Sequence, residues 1–280
     1  MISDFKILDK IDQLPAIPVA LTRLLTLCKD KHSTTNDFED ALKPDPTFTA
    51  NILHLANSAY FGCPQQVNSV SQAVSLVGIG RVLDITIAAA LSNVVPAALP
   101  GYGIKAAIFW RHCVAVAVIL EKIATHLDLA STDESFTCGV LHDIGKLVTG
   151  VYLIEDANAL IDLVTTKSIT MLEAEKEIFG YDHTEIGELV AQKWQLPLSI
   201  CTANRWHHDP TASPHPDDPM INALHIADCL AHAFGYGADI SELGREINPA
   251  TMHRINLPIV DLEQIVEASI ADVEELCNLY

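Results

Sequence analysis

Apolar residues in this 280-residue chain recur at the three-to-four-residue spacing of a helix face, and the period-two alternation of a half-buried strand is almost absent. Helix boundaries are written in the same stretches. Ile17, Leu21, Leu24, Leu25 and Cys28 share one face. Asp45 and Pro46 stand at N-cap and first-turn positions before "TFTANILHLANSAYFG". Ser69 and Gln72 have capping-box spacing ahead of "AVSLVGIG", where Gly78 and Gly80 mark a break, and "RVLDITIAAALSNVV" follows as a further helix. Later, Thr170 and Glu173 form a second capping box that closes at Gly180. Asp182 opens "HTEIGELVAQKWQL", Pro197 starts the next helix, and Asp218-Pro219 starts "MINALHIADCLAHAFG". No segment repeats with a period of 20–50 residues. The fold class expected is all-α.

The best linker candidate is Pro96–Gly103, rich in proline and glycine, so two helical regions are expected, 1–100 and 101–280. The uncharged run Ile85–Ile104 contains Asn93, Pro96, Pro100, Gly101 and Gly103. It reads as a buried helix ending in a loop rather than a membrane span. The N-terminus lacks a basic segment followed by an apolar one, so no signal peptide is expected. Seven cysteines lie scattered in apolar segments without CxxC spacing, which suits reduced thiols in a cytoplasmic protein. With 17 Lys+Arg against 36 Asp+Glu, the net charge of −19 argues against DNA as a partner, because phosphate neutralisation needs surplus cations.

The chemistry sits in polar residues placed where apolar ones belong. "CGVLHDIGKLVTG" puts His142 and Asp143 between Val140, Leu141, Ile144 and Leu147. A buried charge without a partner costs several kcal/mol, roughly, so a metal ion is one candidate partner. Adjacent helical residues project about 100° apart, so both point at one site only near a helix end, which Gly145 is expected to supply. His112 follows Phe109-Trp110, His183 opens a helix, His207-His208 ends one, and Asp228 lies inside "HIADCLA". Imidazole with carboxylate suits Fe, Mn or Zn, and a bridging carboxylate lets two ions sit close together. Taken singly, each histidine is more commonly bonded to a backbone carbonyl. That plain reading is kept for His54, His126, His225 and His232. Lys146 and Arg205, taken alone, read as solvated side chains. The ordered series His112, His142-Asp143, His183, His207-His208, Asp228 is the stronger signal.

"LHDIGK" with upstream His112 and downstream Asp228 resembles the HD superfamily of metal-dependent phosphohydrolases. More closely, "LPAIPVALTRLLTL", "DPTFTANILHLANSAYFG", "FWRHCVAVA", "EKEIFGYDHTEIGELVAQKWQLPLSI" and "RWHHDP" resemble the HDOD family, the HD-related output domain of bacterial signalling, over about residues 8–235. The resemblance implies a helical bundle in which an N-terminal helical subdomain packs on an HD-like domain. By resemblance to the related HD-GYP phosphodiesterases, His112, His142, Asp143 and Asp228 would hold one ion. Asp143 would bridge to a second, held by His183 and one or both of His207 and His208, with Lys146 near a substrate phosphate. The implied cofactor is one or two divalent ions, Fe or Mn. No Gly-Tyr-Pro follows His208; "DPTASPHPDDP" stands there, which argues against cyclic-di-GMP hydrolysis.

The function expected is therefore that of a bacterial regulatory protein working through signalling-protein partners or a bound ligand. No receiver or cyclase segment fits in the remaining residues, so its input is expected from another chain. The alternative is a metal-dependent phosphohydrolase acting on a nucleotide, with Asp143 and Lys146 as its catalytic residues. An oxygenase using the same ligands is a distant third.

Overall fold

The computed structural model describes residues 19–30, 32–42, 46–63, 65–94, 98–129, 132–150, 159–237 and 245–278. Asp45 and Ile17 lie outside these residues. Contacts divide the chain into two units, one built from 19–94 with 270–278 and the other from 98–269.

The first unit holds α1 (Val19–Lys29), α2 (Thr35–Leu42), α3 (Pro46–Ala56) and α4 (Val70–Val94). Leu24, Leu25, Phe38, Leu42, Ile52 and Leu55 are buried in it. Ser69 Oγ accepts the Gln72 N–H at 3.1 Å, as the capping spacing implied. The expected break falls at Gly78, at φ 84° and ψ 167°, where two helical stretches meet at a kink; helix resumes before Gly80. The Val70–Ala90 stretch is long and apolar enough to cross a membrane by length and composition, but 56% of it is buried within the protein. Glu275, near the C-terminus, accepts the Ala59 N–H at 2.6 Å.

The second unit begins with a two-stranded antiparallel ribbon, β1 (Ala98–Leu99) and β2 (Ile104–Lys105), joined by a 3₁₀ turn at Pro100–Tyr102; β1 and the turn lie within the expected linker. Leu99 and Tyr102 are buried, because the turn folds its apolar side chains inward. Then come α5 (Ala106–His126), α6 (Thr132–Leu141), α7 (Gly145–Val148), α8 (Ala159–Lys167) and α9 (Met171–Phe179). They are followed by α10 (His183–Lys193), α11 (Leu198–Trp206), α12 (Pro219–Ala231), a π-helical turn at His232–Tyr236, α13 (Pro249–Ile255) and α14 (Ile259–Cys277), whose residues from Ile270 onward belong to the first unit.

Two glycines set how closely the helices approach. A Cβ on Gly139 would lie 2.4 Å from Ala117 Cα, so α6 lies against α5 at a separation only glycine allows. A Cβ on Gly145 would lie 1.8 Å from the His183 carbonyl oxygen. Gly145 thus begins α7 rather than ending a helix. The "LHDIG" helix stops at Leu141, and the glycine is there so that α7 can touch α10. Both contacts lie next to residues of the histidine–aspartate series.

Candidate metal centre

His112 projects from the second turn of α5. His142 and Asp143 occupy the turn between α6 and α7, which frees both from helical geometry. His183 is the first residue of α10, behind the Asp182/Glu185 capping box. His207 caps α11, His208 follows it, and Asp228 lies inside α12. All of these except His208 are fully buried. The structure therefore brings the whole series into one interior.

The geometry centres on the Asp143 carboxylate. Its Oδ2 lies 3.5 Å from His142 Nε2 and 3.7 Å from His112 Nε2. Its Oδ1 lies 3.3 Å from His183 Nε2 and 3.6 Å from His207 Nε2. Asp228 Oδ1 stands 3.3 Å from His112 Nε2 and 3.7 Å from His142 Nε2. His208 Nε2 stands 2.9 Å from His183 Nε2. Two groups of donor atoms result, each mutually within 4.8 Å: His112, His142 and Asp228, and Asp143, His183, His207 and His208.

The chemistry of the rings fits a cation. His142 Nδ1 bonds the Gly139 carbonyl at 2.7 Å, His112 Nδ1 the Tyr236 carbonyl at 3.1 Å, and His207 Nδ1 the Asn204 carbonyl at 2.9 Å. A carbonyl only accepts, so each Nδ1 carries a proton, and each ring, once neutral, presents an Nε2 lone pair to the centre. His112 Nε2 and His142 Nε2 nevertheless face each other at 3.2 Å. Among the described residues, Asp143 Oδ1, His207 Nε2 and Asp228 Oδ1 are buried with no hydrogen-bond partner. Lone pairs and carboxylate oxygens gathered in this way repel unless a cation lies among them.

Ion-free, the protein supplies its own cations. Lys146 is buried, not solvated, and its Nζ lies 2.8 Å from Asp143 Oδ2. Arg245, which sequence reasoning missed, pairs with Asp228 Oδ2, and its Nη2 lies 3.3 Å from His208 Nε2. Burial opposes ionisation of Asp143, but Lys146 and His142 outweigh it and hold the carboxyl well below its usual range. Asp228 is held down likewise, by Arg245 and His112 against burial. Burial also works against a proton on His183, yet Glu175 raises that imidazole to about 10. His207 is pushed down to about 4 by burial, and His208 lies well below its ordinary value because of burial and the nearby Arg245.

Glu175 was also missed. It is wholly buried, accepts the His183 backbone N–H at 2.7 Å and the Tyr102 hydroxyl at 2.5 Å, and lies 2.9 Å from His183 Nδ1. The plain reading of His225 stands: its Nδ1 donates to the His207 carbonyl at 2.8 Å, and its Nε2 accepts the Asn248 N–H at 3.1 Å. Arg205 stays outside the cluster, bonded to Thr184 and Glu185 and stacked on Trp206. His126 pairs at the surface with Asp261 at 3.8 Å. His232 differs from them: its Nε2 points at Asp228 Oδ1 from 3.5 Å, and burial pushes the ring down to about 3, which keeps it neutral. A cavity of about 680 Å³ opens beside His208, lined also by Thr170, Met171, His225, Arg245 and Asn248. That size is in the range of small-molecule sites.

Among solved structures, an HDOD domain protein of unknown function from Geobacter sulfurreducens is similar over 99% of this chain and 96% of its own, at 22% identity and a TM-score of 0.79. A candidate phosphohydrolase from Shewanella amazonensis SB2B is similar over 98% of this chain and 97% of its own, at 26% identity and a TM-score of 0.77. An uncharacterised protein of Treponema pallidum (strain Nichols) is 24% identical over 223 residues, 79% of this chain; the match spans only 43% of that relative's length. The sequence pattern of the HDOD domain matches residues 14–210, and the chain belongs to the HDOD domain family.

Proposed function

We propose that this chain is a metal-dependent phosphohydrolase acting on a phosphate ester of nucleotide size. The observation that carries the reading is the Asp143 carboxylate, whose two oxygens face two different sets of histidines. In this reading His112, His142, Asp143 and Asp228 would hold one ion, and Asp143, His183, His207 and His208 a second. The imidazole–carboxylate donor set suits Fe or Mn. Divalent ions bound here would supply Lewis acidity, activating water as the nucleophile and offsetting phosphoryl charge.

The protein's own groups do the rest. Lys146, held against Asp143, adds a fixed positive charge in a site closed to bulk solvent, where its effect on developing negative charge is greatest. The carbonyl bonds at Nδ1 of His112, His142 and His207 fix ring orientation. The cavity beside His208 is the approach for substrate. The likeness to a candidate phosphohydrolase at 26% identity supports the same class.

A second reading has its own observation. Lys146 and Arg245 already neutralise Asp143 and Asp228, so the fold has no need of ions to tolerate these carboxylates. This favours a cytoplasmic regulatory module that works through a signalling partner. Protein prepared anaerobically, loaded with Fe or Mn and assayed on nucleoside phosphates, cyclic dinucleotides and a generic phosphodiester separates the two. Hydrolysis lost in Asp143→Ala and His142→Ala supports the enzyme. Full metal occupancy with no turnover of any substrate rejects it.

A further inference from the structure

We propose that His232 is an additional ligand of the ion held by His112, His142 and Asp228. The inference rests on the metal-binding part of the function proposed above, not on hydrolysis. His232 follows Asp228 by four residues, a spacing that puts both side chains on one face of the same helical stretch. The residue is 4% exposed, and among the described residues neither ring nitrogen has a hydrogen-bond partner. His225, seven residues earlier in the same helical stretch, has partners at both nitrogens.

The direction of the ring gives the missing partner its place. Nε2 atoms of His112, His142 and His232 stand 3.3, 3.7 and 3.5 Å from one oxygen, Asp228 Oδ1, which is itself without a hydrogen bond. The His232 ring lies beside His112 at 4.7 Å between centroids. Three imidazole Nε2 atoms thus gather around one carboxylate oxygen, a set of donors that suits a divalent ion. The backbone makes room for this ring: a Cβ on Gly237 would lie 2.6 Å from His232 Nδ1.

The test is a Mn²⁺ titration of chelator-stripped protein, with free ion followed by electron paramagnetic resonance and bound imidazole nitrogens counted by its pulsed form. Wild type should bind two ions. His232→Ala should weaken one of them by at least about 100-fold, the upper end of what losing a merely supporting bond does, and show one fewer bound nitrogen. His232→Gln, which keeps the volume, should do the same if the alanine variant folds poorly. His126→Ala, at the surface and outside the cluster, should bind both ions as wild type does. Two ions bound by His232→Gln with unchanged affinity and nitrogen count would overturn the proposal and leave the hydrolase reading intact. Two ions in wild type without hydrolysis would sink only the hydrolase. A wild type that takes up no ion overturns both.

Discussion

Glu175 grips His183 at two points, accepting its backbone N–H at 2.7 Å and lying 2.9 Å from its ring Nδ1. One carboxylate thereby fixes the start of α10 and the tautomer that aims Nε2 at Asp143. Tyr102, from the β1–β2 turn, donates a further hydrogen bond to the same carboxylate. A ligating imidazole backed by a carboxylate is a better electron donor than one backed by a carbonyl. Glu175→Gln keeps the shape and removes the charge. It should weaken the ion on the His183 side by roughly 10–100-fold and leave the ion on the His112 side within a fewfold. Competition with a chelator of known affinity reads both constants.

Much of this was legible in the sequence, for a physical reason. His142-Asp143 and Asp228 are costly residues in apolar runs, and that cost marks them. The capping boxes at Thr170 and Asp182 show which residue starts each helix, and both form with both bonds in place. Glu175 is harder to see because Glu173 and Glu177 flank it in an amphipathic helix. The signal was its phase: it falls four residues after Met171 and four before Phe179, both buried, and so lies on the apolar face. Arg245 lies just ahead of α13 in a segment with no periodicity, so only the fold brings it to Asp228. Gly145 was misread because a glycine needed for close packing looks the same in sequence as one that ends a helix.

That distinction is itself testable. Gly145→Ala places a methyl 1.8 Å from a backbone oxygen, which neither helix can relieve without moving His183. The expected cost is about 3 kcal/mol or more, with loss of bound metal. Gly180→Ala is the contrasting case, since φ is 86° and nothing lies within 4 Å. It should cost about 1 kcal/mol through backbone conformation alone, with metal content unchanged. Denaturant melts and elemental analysis of the two variants check the pair.

Lys146 lies against a carboxylate that is 1% exposed. Replacing it by methionine keeps most of the volume and strands the charge on Asp143. In stripped protein the expected loss is about 3–5 kcal/mol, the usual cost of leaving one member of a buried ion pair. With Mn²⁺ in excess the loss should shrink, because the ion then neutralises the carboxylate. Melts of Lys146→Met with and without metal measure the difference.

Arg245 raises the opposite expectation for affinity. Its guanidinium pairs with Asp228 Oδ2 and reaches His208 Nε2, so it is bound to residues from both donor groups. A cation resident there competes with an incoming ion by repulsion and by holding the His208 lone pair. Arg245→Ala should therefore destabilise the stripped protein, which loses its counter-charge at Asp228, while tightening metal binding on the His208 side by about 10-fold, or roughly 1.4 kcal/mol. The metal-induced rise in melting temperature should exceed that of wild type, since the ion then replaces what arginine supplied. If affinity instead falls in Arg245→Ala, the arginine supports the bound ion, and the ion-free pairing with His208 does not compete with it. Paired melts and chelator competition on the same preparation decide between these outcomes.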